Sequence, residues 1–171
     1  MNLENLSTNL KKLNSIRILN VKRNLIKTFP PELNDLKNLI EIDLSDNAFT
    51  KFPDNLLSLE AIETINLSMN KLDKVSISTK NQKIKYLYLS HNVFEEIPPD
   101  IVNLTSLKHI AFNENYISEF KETIFDKVKN RKFFIDIANQ YCPTIKNNKY
   151  GNLIEIPLLK KIDDKAETAT K

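Results

Sequence analysis

Two hydrophobic periods follow each other in residues 39–59. Ile42 and Leu44 alternate with polar residues, which is the pattern of a short, half-buried strand. After a proline, Leu56 and Leu59 are spaced like one face of a short helix. The stretch therefore predicts one strand, one turn and one return segment, and such a unit cannot enclose its own apolar side chains.

The chain supplies four more copies of this unit. The frame apolar-x-x-apolar-x-apolar-x-x-Asn-x-apolar begins at Ile16, Leu39, Ile62, Ile84 and Leu107, with steps of 23, 23, 22 and 23 residues. Its asparagines are Asn24, Asn47, Asn70, Asn92 and Asn115. Five matches in one register, each with its apolar positions filled, indicate a true internal repeat.

This frame resembles the leucine-rich repeat family, whose consensus L-x-x-L-x-L-x-x-N-x-L recurs about every 20–29 residues. The resemblance covers residues 16–129, with units of about 23 residues as in short intracellular members. It implies an α/β solenoid, an arc with a concave parallel β-sheet and a convex side of short helices, 3-10 turns and loops. Such arcs usually serve as docking surfaces for other macromolecules.

Residues outside the five units predict the remaining organisation. Residues 1–15 look like the convex half of a unit and are assigned to an N-terminal cap. Residues 130–162 hold a degenerate sixth strand and a C-terminal cap, and residues 163–171 offer nothing to bury and predict a flexible tail.

Unit three departs from the pattern on its convex side. Ser76 replaces the proline, and the positions expected to hold paired leucines are assigned to Thr79 and Gln82. We therefore expect a convex loop without a helix. Harmless sequence drift and a second contact site both fit this departure.

The sixth strand has two possible registers. In the first, Ile135 and Ile137 point inward, Cys142 fills the last apolar position and Gln140 stands where asparagine is expected. The alternative register aligns Asn139 with the other asparagines and buries Asp136, which is costly without a partner. We therefore favour the first register.

The five repeated asparagines are predicted to form a structural ladder. Where the backbone leaves each strand, its N–H and C=O groups lose their sheet partners. A side-chain amide carries both donors and an acceptor, so it can bond its own turn to that of the neighbouring unit.

The strand residues between the inward positions predict a binding surface on the concave face. Tyr86 and Tyr88 are candidate aromatic anchors, because tyrosine is frequent among residues that dominate interface energies. They are equally explained as good strand formers on a solvated face. The full candidate set is Glu41, Asp43, Thr64, Asn66, Met69, Tyr86, Tyr88, His91 and His109.

Composition excludes several classes of function. Twenty-five basic and 22 acidic residues give a net charge of only +3, which does not favour nucleic acid or an anionic membrane. No apolar run is long enough to span a membrane. Two histidines and one cysteine give no catalytic or metal-ligand cluster, and a single glycine excludes a glycine-rich phosphate loop. We expect no enzyme activity, cofactor or metal.

The expected compartment is the cytoplasm, or the nucleus, and not the cell exterior. The start of the chain lacks the unbroken apolar stretch of a secretory segment. Extracellular relatives typically carry caps with paired cysteines, whereas Cys142 stands alone.

The leading functional hypothesis is a monomeric, non-enzymatic adaptor that binds a protein partner on its concave face. The alternative is a structural component whose arc organises a homo-oligomer or a larger assembly.

Overall fold

The computed structural model describes residues 2–77, 81–118 and 133–138, together with the backbone of residues 153–155. Within these ranges the strands are three residues long. They are β1 (Ile18–Asn20), β2 (Glu41–Asp43), β3 (Thr64–Asn66), β4 (Tyr86–Tyr88), β5 (His109–Ala111), β6 (Phe134–Asp136) and β7 (Leu153–Glu155).

The strands form one sheet in which spatial order equals chain order. β1 to β6 are parallel, and β7 pairs antiparallel with β6. The central residues of the six parallel strands are in register as Leu19, Ile42, Ile65, Leu87, Ile110 and Ile135. This stacking of one unit on the next confirms the solenoid predicted from the repeat.

One continuous hydrophobic core runs through the stack. Ile42, Leu44 and their equivalents in the next three units are fully buried. Phe94 and Phe112 meet edge to face, with ring centroids 5.3 Å apart. Each unit thus covers the apolar surface of its neighbour, which a single unit of this length cannot do for itself.

Short 3-10 helices return the chain on the convex side in the described residues. They span Thr8–Lys12, Pro31–Asp35, Asp54–Ser58 and Pro99–Asn103. Pro30, Pro53 and Pro98 take the N-cap position, one residue before the helical turn. A proline has no N–H and a fixed φ, so it fits the entry to the turn without losing a hydrogen bond.

Unit three follows another path, and one sequence assignment there is wrong. The residue equivalent to the second leucine is Asn81 and not Gln82, because Asn81 pairs with Leu104 of unit four in a parallel bridge. Gln82 is exposed, whereas Asn81 is only 8% exposed. The described residues of this convex segment contain no helix, and Thr79 lies outside them.

Asn81 occupies a position that is apolar in neighbouring units because its side chain bonds backbone groups in a segment that forms no helix. Its Nδ2 donates to the carbonyl of Leu57 over 3.0 Å, and its Oδ1 accepts from the N–H groups of Lys83 and Ile84. Its own backbone bonds unit four at Asn103 and Thr105. One buried amide therefore joins units two, three and four.

The sixth strand adopts the register favoured from the sequence. Ile135 and Ile137 are fully buried, and Asp136 remains half-buried outside the core. Gln140, Cys142, the end of the C-terminal cap and the tail lie outside the described residues.

Residues 2–15 extend the stack by the convex half of a unit. Leu6 is buried, and Leu10 packs against the core. The cover is partial, since Leu19 and Val21 of the first unit stay half-buried and Leu13 is 48% exposed.

Candidate partner-binding face

The parallel strands present two rows of side chains on the concave face, because successive strand residues point to opposite sides of a sheet. The first row is Ile18, Glu41, Thr64, Tyr86, His109 and Phe134, and the second is Asn20, Asp43, Asn66, Tyr88, Ala111 and Asp136. Seven of the nine candidate residues lie in these rows, and all seven are exposed or half-buried.

The other two candidates, Met69 and His91, lie in the turns that follow the strands, and both are exposed. They belong to a set of five residues with left-handed backbone, namely Arg23, Asp46, Met69, His91 and Glu114, with φ between 52° and 58°. Residues with a Cβ disfavour this region, and the chain has a single glycine to offer. The surrounding hydrogen bonds must therefore hold these turns in place.

Those hydrogen bonds come from the repeated asparagines. In the middle of the stack, Asn70 Nδ2 donates to the carbonyls of Leu44, Leu67 and Ser68, and Oδ1 accepts from Phe49 N–H. Asn47, Asn92 and Asn115 make the same four contacts in their own units. Each amide joins the turn of its own unit to the unit before it.

Aromatic residues occupy one half of the concave face. Tyr86 and Tyr88 lie on β4, and His109 pairs with Tyr86 across the strands. The rings of Tyr88 and His109 meet edge to face, with centroids 5.9 Å apart. Phe134, which is 40% exposed, follows His109 in the same row. We call Tyr86, Tyr88, His109 and Phe134 the aromatic patch.

Phe134 was not among the residues predicted from the sequence. Its position follows from the favoured register of the sixth strand, because a residue that precedes an inward Ile135 must face the concave side. Carrying the row one unit further along the chain would have found it.

The surroundings of His109 shift the pKa of its imidazole in two opposing directions. Partial burial lowers the pKa of its imidazole, while the negative charge of Asp136 opposes that shift with a smaller effect. Asp136 is held by Asn113, whose Nδ2 donates to Oδ2 over 3.0 Å. Burial thus favours the uncharged imidazole of His109 within the aromatic patch.

Acidic residues occupy the other half of the face, on β2. Glu41 is exposed, and Asp43 is half-buried with its Oδ1 accepting from both the N–H and the hydroxyl of Ser45. These bonds fix the Asp43 carboxylate in one orientation. β3 separates the acids from the aromatic patch with the small polar residues Thr64 and Asn66.

A salt bridge borders the tyrosines on the side where the chain enters the strands. Lys85 Nζ lies 2.6 Å from Glu63 Oε1, and the two side chains are 35% and 40% exposed. The pair is therefore neutralised internally. Glu41 and Asp43 on β2 and Asp136 on β6 supply the negative charges in the strand rows of this face.

The described residues contain no group of three or more metal-ligating side chains. They also contain no helix with the length and apolarity needed to cross a bilayer. On the convex side, the irregular return of unit three borders a shallow groove of about 460 Å³. The groove is lined by Thr50, Lys51, Phe52, Asp54, Asp73, Lys74 and Ser76.

Sequence comparison identifies the repeat. Residues 38–59 and 83–104 match the family model described as Leucine Rich Repeat. The adenylate cyclase of Schizosaccharomyces pombe is 35% identical over 107 residues, which cover 61% of this chain and 6% of that protein. Leucine-rich repeat-containing protein 58 of Xenopus tropicalis is 29% identical over 110 residues, covering 63% and 31%. The chain thus spans at most 31% of the length of these two relatives.

Solved structures share the fold. A leucine-rich repeat protein of Leptospira interrogans superposes with a TM-score of 0.63 at 20% identity, covering 82% of this chain and 42% of that one. A chain of the Toll–Spatzle complex of Drosophila gives 0.68 at 22% identity, covering 81% and 19%. At these identities the likeness concerns the fold alone.

Proposed function

Because the chain is a leucine-rich repeat protein, we propose that it binds a protein partner on its concave sheet face and performs no catalysis itself. Repeat solenoids commonly use their extended concave surfaces for protein–protein interaction. The adaptor role and the residues assigned to it go beyond this general expectation. They are supported by the aromatic and acidic side chains of the concave face.

The aromatic patch is the observation that carries the proposal. Its four rings lie on three neighbouring strands and are half-buried or exposed. Tyrosines give a large, rigid contact area at a small cost in side-chain entropy, and they often dominate the binding energy of an interface. We therefore assign the anchoring contacts to Tyr86 and Tyr88.

The acids on β2 define the second feature of the partner. Glu41 and Asp43 lie two strands from Tyr86 and Tyr88, which is roughly 10 Å at the usual strand spacing. A partner segment that places an apolar side chain on the patch can therefore set a lysine or arginine against these carboxylates. Opposite charges at such a rim mainly increase the association rate and the specificity.

The proposal is tested by affinity purification with quantitative mass spectrometry. The parent chain is compared with the double variant Tyr86→Ala, Tyr88→Ala. We expect the recovery of the proteins enriched by the parent to fall by at least about 30-fold, since loss of a binding hot spot costs on the order of 2 kcal/mol or more. Charge reversal at Glu41 and Asp43 should lower the recovery of the same proteins by a smaller factor.

The matched control is Tyr116→Ala, because Tyr116 is an exposed tyrosine that lies outside the strands. It should retain every protein enriched by the parent. Thermal melting of each variant must match the parent so that the comparison is between folded proteins. A folded double variant that retains the full set would remove the aromatic patch from the binding site.

We also propose that the protein acts inside the cell, in the cytoplasm or nucleus, and as a monomer. The single Cys142 cannot form the paired-cysteine caps typical of extracellular members. The second candidate function, an arc that organises a homo-oligomer, predicts self-association that sedimentation at micromolar concentration would detect.

A further inference from the structure

β1 is the first strand in the sheet order, and its outer edge has no neighbouring strand among the described residues. In β2, the backbone groups of Glu41 and Asp43 point toward β1. The Glu41 N–H donates to the Arg17 carbonyl, and the Asp43 carbonyl accepts from the Val21 N–H. The equivalent residues of β1 are Ile18 and Asn20. Their backbone groups face away from β2 and are available to an added strand.

Apolar side chains are exposed along the same edge. Leu19 and Val21 are half-buried, whereas their equivalents Ile42 and Leu44 in the next unit are completely covered. Ile18 is 64% exposed. A further strand with apolar residues facing inward would cover Leu19 and Val21, just as the first unit covers Ile42 and Leu44.

The convex half of the stack already extends one step beyond β1. Leu3 N–H donates to Asn24 Oδ1 over 3.0 Å, and Leu25 N–H donates to the Leu3 carbonyl over 2.8 Å. The same pair of contacts joins Ile26 to Asn47 and Ala48 in the following unit. The end layer therefore has a formed turn and return segment, but the described residues supply no strand to complete it.

The charge of this end layer favours one kind of occupant. Residues 2–30 contain six basic residues and one acid, Glu4, which gives a net charge of +5. The basic residues are Lys11, Lys12, Arg17, Lys22, Arg23 and Lys27, and all six are exposed. Residues 31–75 contain four basic and nine acidic residues, a net charge of −5. The layer that carries the open edge is thus basic, whereas the adjoining residues 31–75 are acidic.

A second copy of the chain would bring one +5 layer against another if two β1 edges paired. Like charges at close range oppose such an interface, whereas an acidic segment is attracted to it. The edge therefore discriminates in favour of a partner with negative charge.

We propose that the β1 edge binds an extended segment of a partner protein as an additional strand, and that this segment alternates apolar and acidic residues. Main-chain hydrogen bonds to Ile18 and Asn20 supply affinity, as in other cases of strand addition. The apolar residues of the segment cover Leu19 and Val21. Its acids lie within the field of Arg17 and Lys22, which flank β1.

The test uses a fluorescein-labelled eight-residue peptide of alternating valine and glutamate, measured by fluorescence anisotropy at low salt. Two peptides serve as controls, one in which lysine replaces glutamate and one in which serine replaces valine. We expect saturable binding of the first peptide and binding at least tenfold weaker for both controls. Equal binding of the serine peptide would reduce the interaction to general electrostatics and overturn the proposal.

Two variants locate the site. Ile18→Pro removes a main-chain donor from the open edge, at a position where an edge strand tolerates proline. Arg17→Glu with Lys22→Glu reverses the local charge without changing the backbone groups. Each variant should lower the affinity for the valine–glutamate peptide at least tenfold. If Ile18→Pro fails to fold, the charge-reversal variant still decides, because unchanged peptide binding by that variant would overturn the proposal.

The two proposed surfaces can be separated in the same assay. Tyr86→Ala with Tyr88→Ala should leave the affinity for the valine–glutamate peptide unchanged, because the aromatic patch lies three strands away. Loss of peptide binding in this variant would move the peptide site to the concave face. A dimer that Ile18→Pro converts to a monomer would instead identify the occupant of the edge as a second copy of the chain.

Discussion

The ladder asparagines act at the scale of single residues, and their environment becomes drier along the chain. Asn24 and Asn47 are half-buried, Asn70 and Asn92 are 8% and 3% exposed, and Asn115 is fully buried. A buried amide that loses its partners costs more than an exposed one, because water cannot replace the missing bonds. The energetic importance of the ladder should therefore increase from the first unit to the fifth.

Asn70→Ala is expected to lower the free energy of unfolding by about 1–3 kcal/mol, because it leaves buried backbone groups of two units without partners. Chemical denaturation of parent and variant measures the difference. The control is Asn38→Ala, which removes a single exposed hydrogen bond to the Asn14 carbonyl. A variant at position 70 that unfolds at the same denaturant concentration as the parent would contradict the structural role of the ladder.

His109 should make stability depend on pH. Its pKa is lowered in the folded state by partial burial, so the unfolded chain binds the proton more readily. The contribution of neutral His109 is therefore fully present above the unfolded pKa of about 6.5 and is lost as the pH falls toward the folded pKa.

The measurement is denaturation of the parent, His109→Gln and His91→Gln at pH 7.5 and pH 5.5. We expect His109→Gln to lose less stability than the parent on acidification. His91→Gln replaces an exposed histidine and should behave like the parent. Equal pH dependence of all three proteins would show that His109 titrates alike in both states.

At the scale of elements, unit three shows how a shortened repeat keeps the stack continuous. The unit is one residue shorter than its neighbours, and its described convex residues form no helix. Asn81 replaces the missing turn contacts with side-chain hydrogen bonds to the segments on both sides. An amide in an apolar position is therefore a substitute for a helix and not an irregularity of packing.

Asn81→Leu restores the residue type found at this position in units one, two and four, yet we expect it to destabilise the protein by about 1–3 kcal/mol. Leucine cannot replace the bonds to the Leu57 carbonyl and to the N–H groups of Lys83 and Ile84. Thermal or chemical denaturation measures the change, with the exposed Gln82→Ala as control. A stabilised Asn81→Leu protein would show that apolar packing outweighs the hydrogen bonds here.

The strands could be predicted from the sequence with their register, because five copies of one frame constrain which residues face inward. Ile42, Ile65 and Leu87 stack as the frame requires. The position of Asn81 could not be predicted. A one-residue shortening can be placed anywhere between two strands, and only the tertiary bridge to Leu104 selects the alignment.

At the scale of the whole molecule, contacts join neighbouring units, so stability is approximately a sum over units and their interfaces. The two ends of such a stack differ from its middle, since each terminal unit lacks one neighbour. The sequence predicted a cap in residues 1–15 but not how much of β1 it would cover. That extent depends on the path of the chain around the first strand and not on the repeat pattern.

The candidate site could be predicted in part for the same reason. Register alone placed Tyr86, Tyr88 and His109 on one face, whereas the contact between the rings of Tyr88 and His109 depends on side-chain packing. The fixed orientation of Asp43 likewise depends on the hydroxyl of Ser45. Sequence alone identifies which residues share the surface, and the structure adds how each is held.

The ladder also determines what the chemical loss of one side-chain amide would do to the molecule. Spontaneous hydrolysis of an asparagine amide leaves a carboxylate, which has no N–H to donate. At Asn70, such a change would set negatively charged oxygens against the carbonyls of Leu44, Leu67 and Ser68. Deamidation, usually a minor surface lesion in an ageing protein, would here weaken the link between one repeat and the next.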